Sequence, residues 1–328
     1  MADIQPILQI QNLHTNFHSK RGVVRAVDGV DLSLQRDEIL GIVGESGSGK
    51  SVMSLSIMRL LGGTSAKIDE GRILFNGTDL ASLDNEKMHH IRGNDIAMIF
   101  QDPMTCLNPV MKIGEQIIES IRLHQKVSKR EARKLALLML EKVRMPRAAR
   151  MMDEYPFQLS GGQQQRVMIA MGLVCNPRIL IADEPTTALD VSIQAQILEL
   201  MNQLKTEFGM SILFITHDLG VVASLCDRVA VMYCGRIVEQ GSIGDLFADP
   251  SNPYTLGLLN SRPRLGMPVD ELETIPGGVP NPRHMPKGCK FEPRCKYAKD
   301  ICRKEEPSFY EISPGHYSKC FRHEKDWQ

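Results

Sequence analysis

A chain of 328 residues, with 39 Lys and Arg set against 39 Asp and Glu, is long enough for one large core and a smaller appendage. The balanced charge offers no basic field to a nucleic acid and no acidic excess of the kind that marks a disordered tail. No apolar run approaches the ~20 residues that cross a bilayer, and the first residues lack the charged and then apolar pattern of a secretory leader. The chain is therefore expected in the cytosol, meeting a membrane only through partners.

Two short runs, 7–10 and 30–34, have strand length and apolar character, with Gly22 and Gly29 read as turns between them. They predict an antiparallel β-layer ahead of the next apolar run, 39–43. Phe17 lies in this layer, either as an aromatic that stacks on an adenine face or as a strand residue packed inward. Residues 44–51 read Gly-Glu-Ser-Gly-Ser-Gly-Lys-Ser and lie between the apolar run and an amphipathic stretch from Val52. The order is strand, glycine-rich turn, helix, which is the context the P-loop pattern requires. Gly44, Ser46, Gly47, Ser48 and Gly49 would let backbone amides turn toward phosphate oxygens at the positive end of the helix. Lys50 would reach the β- and γ-phosphates of a nucleotide such as ATP, and the Ser51 hydroxyl would ligate Mg²⁺.

Residues 71–77 predict a short strand closing in an Asn76-Gly77 turn, and 96–100 a buried strand that delivers Gln101 at its end. From Ile113 to about Val143 apolar positions recur at helical spacing, a helical insertion that ends near Pro156. Ser160 then stands as the N-cap of a further helix that begins Gly161-Gly162-Gln163. Residues 179–185 form an apolar strand running into Asp183 and Glu184, and 211–218 repeat the device with His217. Alternating strands and helices imply an α/β fold with a parallel sheet covered on both faces. Asp183 would hold Mg²⁺ through its water shell, and Glu184 would polarise a water for attack on the γ-phosphate. His217 either touches that phosphate or is a structural histidine.

At residues 159–166, Leu-Ser-Gly-Gly-Gln-Gln-Gln-Arg, the chain strongly resembles the nucleotide-binding subunit of an ATP-binding cassette (ABC) transporter. The P-loop, Gln101, the Leu159 to Gln163 signature, the Asp183-Glu184 pair, Ala188-Leu189-Asp190 and His217 follow in that family's order. The resemblance covers roughly residues 7 to 250. It implies an antiparallel β-subdomain, a RecA-like parallel core and a helical signature subdomain over about 103–172. It further implies that Ser160, Gly161, Gly162 and Gln163 cap the ATP held by a second cassette, with Asp190 beside them. Gln101 would sense the metal and the γ-phosphate while the helical insertion touches two transmembrane permease subunits. The second cassette would be a homologous ATPase or another copy of this chain.

Past Pro250 prolines crowd together, among them Pro253, Pro263, Pro268, Pro276, Pro280, Pro282, Pro286 and Pro293, and mark a small lobe without a large core of its own. The division expected is a nucleotide-binding domain over 1–250 and an extension over 251–328. Asn252-Pro253-Tyr254-Thr255, Ile275-Pro276-Gly277 and Pro293-Arg294-Cys295 resemble the C-terminal extension of oligopeptide and dipeptide permease ATPases. Four of the eight cysteines, Cys106, Cys175, Cys226 and Cys234, are scattered; Cys289, Cys295, Cys302 and Cys320 gather here, spaced by 5, 6 and 17 residues. Four thiols in a cytosolic tail suit a metal better than disulfides. The resemblance implies a 4Fe-4S iron-sulfur cluster, with zinc and plain structural thiols as alternatives. Two departures from the branch are Cys106, where relatives commonly carry serine, and a signature ending in glutamine where many carry methionine.

The function this implies is ATP hydrolysis that powers import of short peptides, at the cytoplasmic face of the cell (inner) membrane, with an extracytoplasmic peptide-binding protein and no nucleic acid. Import of nickel or another small solute is one rival. A soluble ABC ATPase of translation or DNA repair is the other, although such proteins usually carry two cassettes or a long coiled-coil insertion.

Overall fold

The structure, a computed structural model, describes residues 5–187, 189–261, 274–324 and 327. Ala188, Pro263 and Pro268 thus lie outside the described residues. Two compact units are present, one built from residues 1–34, 40–81 and 216–328, the other from 35–39 and 82–215.

The first unit opens with β1 (Leu8–Ser19) and β2 (Gly22–Leu34), then β3 (Ile39–Val43), α1 (Lys50–Ile57), β4 (Ala66–Phe75) and β5 (Thr78–Asp79). The antiparallel layer expected at the N-terminus is present but much longer than its apolar runs, in the order β2-β1-β4-β5. The turn is Lys20-Arg21, and Gly22, with φ of +114°, follows it as the first residue of β2, paired with Ser19. Gly29 is no turn. With φ of +72° it lies inside β2 where the register to β1 slips between the Leu13–Val30 and His14–Asp28 pairs, which is a β-bulge. Asn76 (φ +46°) and Gly77 (φ +80°) form the two-residue link between Phe75 and Thr78, both positive as a hairpin of this twist demands.

The second unit holds α2 (Asn85–Ile91), β6 (Ile96–Ile99), α3 (Pro103–Cys106), α4 (Ile113–His124), α5 (Lys129–Lys142), α6 (Ala148–Met151), α7 (Gly161–Leu173), β7 (Ile179–Asp183), α8 (Val191–Phe208) and β8 (Ser211–Ile215). Strands β6, β7 and β8 run parallel, pairing Ile96 with Ile179 and Ile179 with Ser211. Every residue of β7 and β8 is buried, which is why these strands read as continuous apolar runs. The helical insertion resolves into α4 and α5, with the short α6 following before Pro156: Ser128 caps α5 by accepting from Glu131 N at 3.2 Å, and so breaks the stretch after α4.

The chain then completes the first unit with α9 (Leu219–Leu225), β9 (Arg228–Tyr233), β10 (Arg236–Ser242), α10 (Ile243–Ala248), α11 (Pro253–Asn260), α12 (Asp300–Lys304), β11 (Tyr310–Ser313) and β12 (His316–Ser318). Strand β9 is parallel to β3, whereas β10, β12 and β11 continue the sheet antiparallel. The proline-rich region does not stand apart from the core. Its Tyr254 and Phe291 are buried in one cluster with Val43, Val231 and Tyr233, and the Tyr233 and Tyr254 rings lie 4.5 Å apart. Among the described residues no helix is long and apolar enough to cross a membrane.

Candidate nucleotide-binding site

The loop between β3 and α1 is wound so tightly that only glycine fits at its two ends. Gly44 has φ of +156°, and a Cβ there would fall 2.1 Å from Met232 O; Gly49 has φ of +105°, and its Cβ would fall 2.3 Å from Ala26 O. Gly47, at φ +79°, sits with Ser46 at the exposed tip, where nothing lies within 4 Å of its would-be Cβ. Buried Lys50 folds back over the loop, its Nζ donating to Gly44 O at 2.7 Å, Glu45 O at 3.0 Å and Ser48 Oγ at 3.4 Å. These are contacts to neutral oxygens, which an ammonium can exchange for the stronger charge-assisted contacts of a phosphate. Ser51 is exposed in the first turn of α1, and Ser48 is tied to the β9–β10 turn, accepting from Gly235 N at 2.8 Å.

His217 lies exposed two residues past β8, placed by Thr216, whose N–H donates to Ile42 O of β3 at 3.1 Å, and by Asp218, whose Oδ1 caps α9 through Gly220 N at 2.7 Å. Phe17 is a half-buried β1 residue, cross-strand from Val24 and Ala66.

In the second unit, Asp183 is buried at the end of β7. Glu184 follows with φ of +47°, a left-handed conformation that costs a non-glycine residue roughly 1–2 kcal/mol and re-aims its side chain as the strand ends. Its Oε2 accepts from Gln101 Nε2 at 3.1 Å and from Thr187 Oγ1 at 2.9 Å. Gln101 and Glu184, which the sequence separates by 83 positions, are thus in contact. Thr187 escaped the sequence reading, although its place three residues after Glu184 is the spacing of a local hydroxyl contact. At the start of α7, Gln163 Oε1 accepts from Ser160 N at 2.9 Å, one half of a capping box. Gly161 is exposed, and a Cβ on Gly162 would press to 2.8 Å from Ile193 Cγ2 of α8. Asp190 is exposed at the N-cap of α8.

Residues to which the sequence assigned no part in the nucleotide site hold the P-loop from the C-terminal side. Glu45 N donates to Tyr254 Oη at 2.9 Å, and the Glu45 carboxylate takes both arms of the Arg294 guanidinium, at 2.7 and 3.0 Å. The Arg294 side chain is 4% exposed, and its pKa is raised, first by the hydrogen bonds to Glu45. Burial raises the Tyr254 phenol as well, keeping it neutral.

The four late cysteines line a single cavity together with Tyr233 and Phe291. Gly288 lets two of their segments meet, since Cys289 N donates to Cys302 O at 2.8 Å and a Cβ on Gly288 would fall 2.3 Å from that oxygen. Burial pushes Cys289 up to about 12 and Cys320 up to about 11, and it raises Cys295. All eight cysteines are unpaired with one another, and as the side chains stand no group of three or more His, Cys, Asp or Glu among the described residues is arranged to hold a metal ion.

Residues 27–187 match the ABC transporter family, and residues 238–302 match the oligopeptide/dipeptide transporter C-terminal region. A putative peptide import ATP-binding protein of Brucella melitensis is 51% identical over 99% of this chain and 98% of its own length. The oligopeptide transport ATP-binding protein AppD of Bacillus subtilis is 51% identical, with 98% of each chain covered. The dimeric post-hydrolysis state of the ATP-binding cassette MJ0796, bound to ADP and Pi, superposes with a TM-score of 0.65 at 30% identity, covering 72% of this chain and 98% of that one. This chain belongs to the ABC transporter family, as an ATP-binding ATPase subunit of the branch that carries the oligopeptide/dipeptide transporter C-terminal region.

Proposed function

We propose that the chain hydrolyses ATP to drive import of short peptides through two transmembrane permease subunits, peripheral to the cytoplasmic face of the cell membrane and fed by an extracytoplasmic binding protein. The observation that carries the cargo is the full-length similarity to proteins named for peptide import, which extends through the C-terminal region.

Lys50 leaves the Gly44 and Glu45 carbonyls for the β- and γ-phosphates, while the loop amides after Glu45 surround the phosphate oxygens. Ser51, Asp183 and Gln101 would hold Mg²⁺, which when bound neutralises charge building on the phosphate oxygens. Glu184 accepts a proton from the attacking water, and the hydrogen bonds from Gln101 and Thr187 keep the carboxylate aimed. His217 contacts the γ-phosphate, and Phe17 stacks on the adenine. Ser160, Gly161, Gly162 and Gln163, with Asp190, close over the ATP of a second cassette, a homologous ATPase or another copy of this chain. The working division is a nucleotide-binding domain over 1–250, with its helical part at about 103–172, and an extension over 251–328.

For the cysteines, soft sulfur donors on one cavity fit a 4Fe-4S cluster held by Cys289, Cys295, Cys302 and Cys320, once the thiols turn inward and ionise. Such a group would cross-link four chain segments at the centre of the extension; zinc would do the same. Iron and acid-labile sulfide in anaerobically purified protein are the measurement, and their absence eliminates the cluster.

The function itself is tested by uptake of labelled di- to pentapeptides in cells whose sole copy carries Glu184→Gln. Selective loss of peptide uptake is expected. Unchanged peptide uptake with loss of nickel uptake would replace the cargo, and no transport defect of any kind would refute the importer.

A further inference from the structure

We propose that Arg294 is a positioning residue of the nucleotide site: gripping Glu45, it fixes the start of the phosphate-binding loop and makes the C-terminal extension a working part of ATP binding. The proposal rests on the reading of residues 44–51 as the phosphate loop.

Glu45 is held at three points. Its N–H donates to Tyr254 Oη at 2.9 Å, its carbonyl accepts from Lys50 Nζ at 3.0 Å and from Ser48 N at 3.2 Å, and its carboxylate takes the Arg294 fork. Two of these three ties come from the extension. The residue before it, Gly44, is already pressed against Met232 O and has no room to retreat. Since the Glu45 amide is committed to Tyr254, phosphates would be met by the amides that follow, and their direction depends on how firmly Glu45 is set. The grip is itself rigid. Arg294 Nε donates to Pro276 O at 3.0 Å, and its guanidinium lies 5.9 Å from the ring centres of both Tyr233 and Phe291. A planar fork bound at both arms and held by a third contact transmits position, not merely charge. Arg294 is also the residue before Cys295, and the short helical turn 292–294 bridges Cys289 and Cys295. The segment that carries two of the cavity's sulfurs is therefore the segment that holds the P-loop.

A loop fixed before the ligand arrives has less ordering left to do on binding. The experiment is titration of the purified full chain with a fluorescent ATP analogue, alongside its thermal melt and its kcat at saturating ATP. Arg294→Met should raise Kd by about tenfold, the scale of freeing one loop residue's backbone. Arg294→Lys keeps the charge without the fork and should fall between it and wild type. Tyr254→Phe removes only a hydroxyl and should raise Kd by about threefold with the melt nearly unchanged, because it frees one neutral hydrogen bond. In each variant kcat should stay within about twofold, since the loss lies in ground-state binding. Lys50→Ala separates the two readings. If it weakens binding while Arg294→Met and Tyr254→Phe leave Kd within about twofold of wild type, a range that ordinary hydrogen-bond loss would exceed, the positioning role is wrong. If Lys50→Ala itself leaves affinity unchanged, the phosphate-loop reading fails first. Should Arg294→Met not fold, Arg294→Lys and Tyr254→Phe decide the matter.

Discussion

Glu239 joins the extension to the sheet, and removing it should loosen everything downstream. It is fully buried on β10, and its carboxylate takes three donors: Ser251 N at 2.7 Å, Asn252 N at 3.0 Å and His316 Nε2 at 2.8 Å. Two of these are main-chain groups at the entrance to α11, and the third is a β12 side chain that is itself buried. Glu239→Ala leaves these three donors without their carboxylate in a buried site. Each stranded buried donor costs about 1–3 kcal/mol, and the effects overlap, so about 3–5 kcal/mol of local stability should go. Asn252 sits at the N-cap of α11 and reaches Val238 O and Lys319 O with its amide, so the loss should spread along 251–260. Amide hydrogen exchange over that segment should accelerate by about two to three and a half powers of ten relative to wild type, while exchange in β6 and β7 stays unchanged. Glu239→Gln keeps one good acceptor and turns an NH₂ toward another donor, so it should lie between the two. Acceleration by less than about tenfold in Glu239→Ala, equivalent to ~1.4 kcal/mol, would mean that the three hydrogen bonds do not hold the extension in place.

Glu184→Gln should retain ATP binding and lower turnover by about 10²- to 10⁴-fold, because it keeps the shape and the Gln101 contact yet cannot take a proton; near-normal steady-state hydrolysis would defeat the assignment. Gly162→Ala should destabilise by about 1–3 kcal/mol through a clash with Ile193, where Gly161→Ala, whose nearest neighbour would be Leu189 Cδ2 at 3.8 Å, should be mild; equal melting temperatures would contradict the close approach of α7 and α8. The buried thiols set an alkaline limit for metal-free protein. With Cys289 up to about 12 and Cys320 up to about 11 from an ordinary 9.0, the native state favours the protonated form, so this stability is full below about pH 9 and is lost as pH rises through 11 to 12. In chelator-treated protein, a Cys289→Ala and Cys320→Ala double variant should show a shallower fall in melting temperature above pH 9 than wild type, and parallel curves would show that these thiols do not titrate as buried groups.

What the sequence disclosed and what it concealed divide along sequence distance. The P-loop is contiguous, and its glycines are dictated by the loop's own geometry, so Gly44 and Gly49 were legible without any neighbour being known. Residues 179–183 and 211–215 were legible because burial on both faces leaves an unbroken apolar run. Gly29 misled, because a positive φ serves a bulge as well as a turn, and only the partner strand distinguishes them. Glu45 and Arg294 were out of reach for a stronger reason. They meet across 249 positions, and each is unremarkable alone: Glu45 fills a variable place in the loop pattern, and Arg294 is one more cation among cysteines. Their meaning is a property of the pair, since a guanidinium buried to this degree requires a fixed carboxylate and that carboxylate lies on the phosphate loop. The proline-rich composition pointed to an appendage because it counts how little core the segment can form by itself. It cannot count the core the segment shares, and Tyr254 and Phe291 bury themselves against Tyr233 of β9, one residue along from the Met232 carbonyl that confines Gly44. A segment that borrows its core from the strand beside the P-loop cannot shift without disturbing that loop, and this makes Arg294 and Tyr254 the places to look for communication between the extension and ATP.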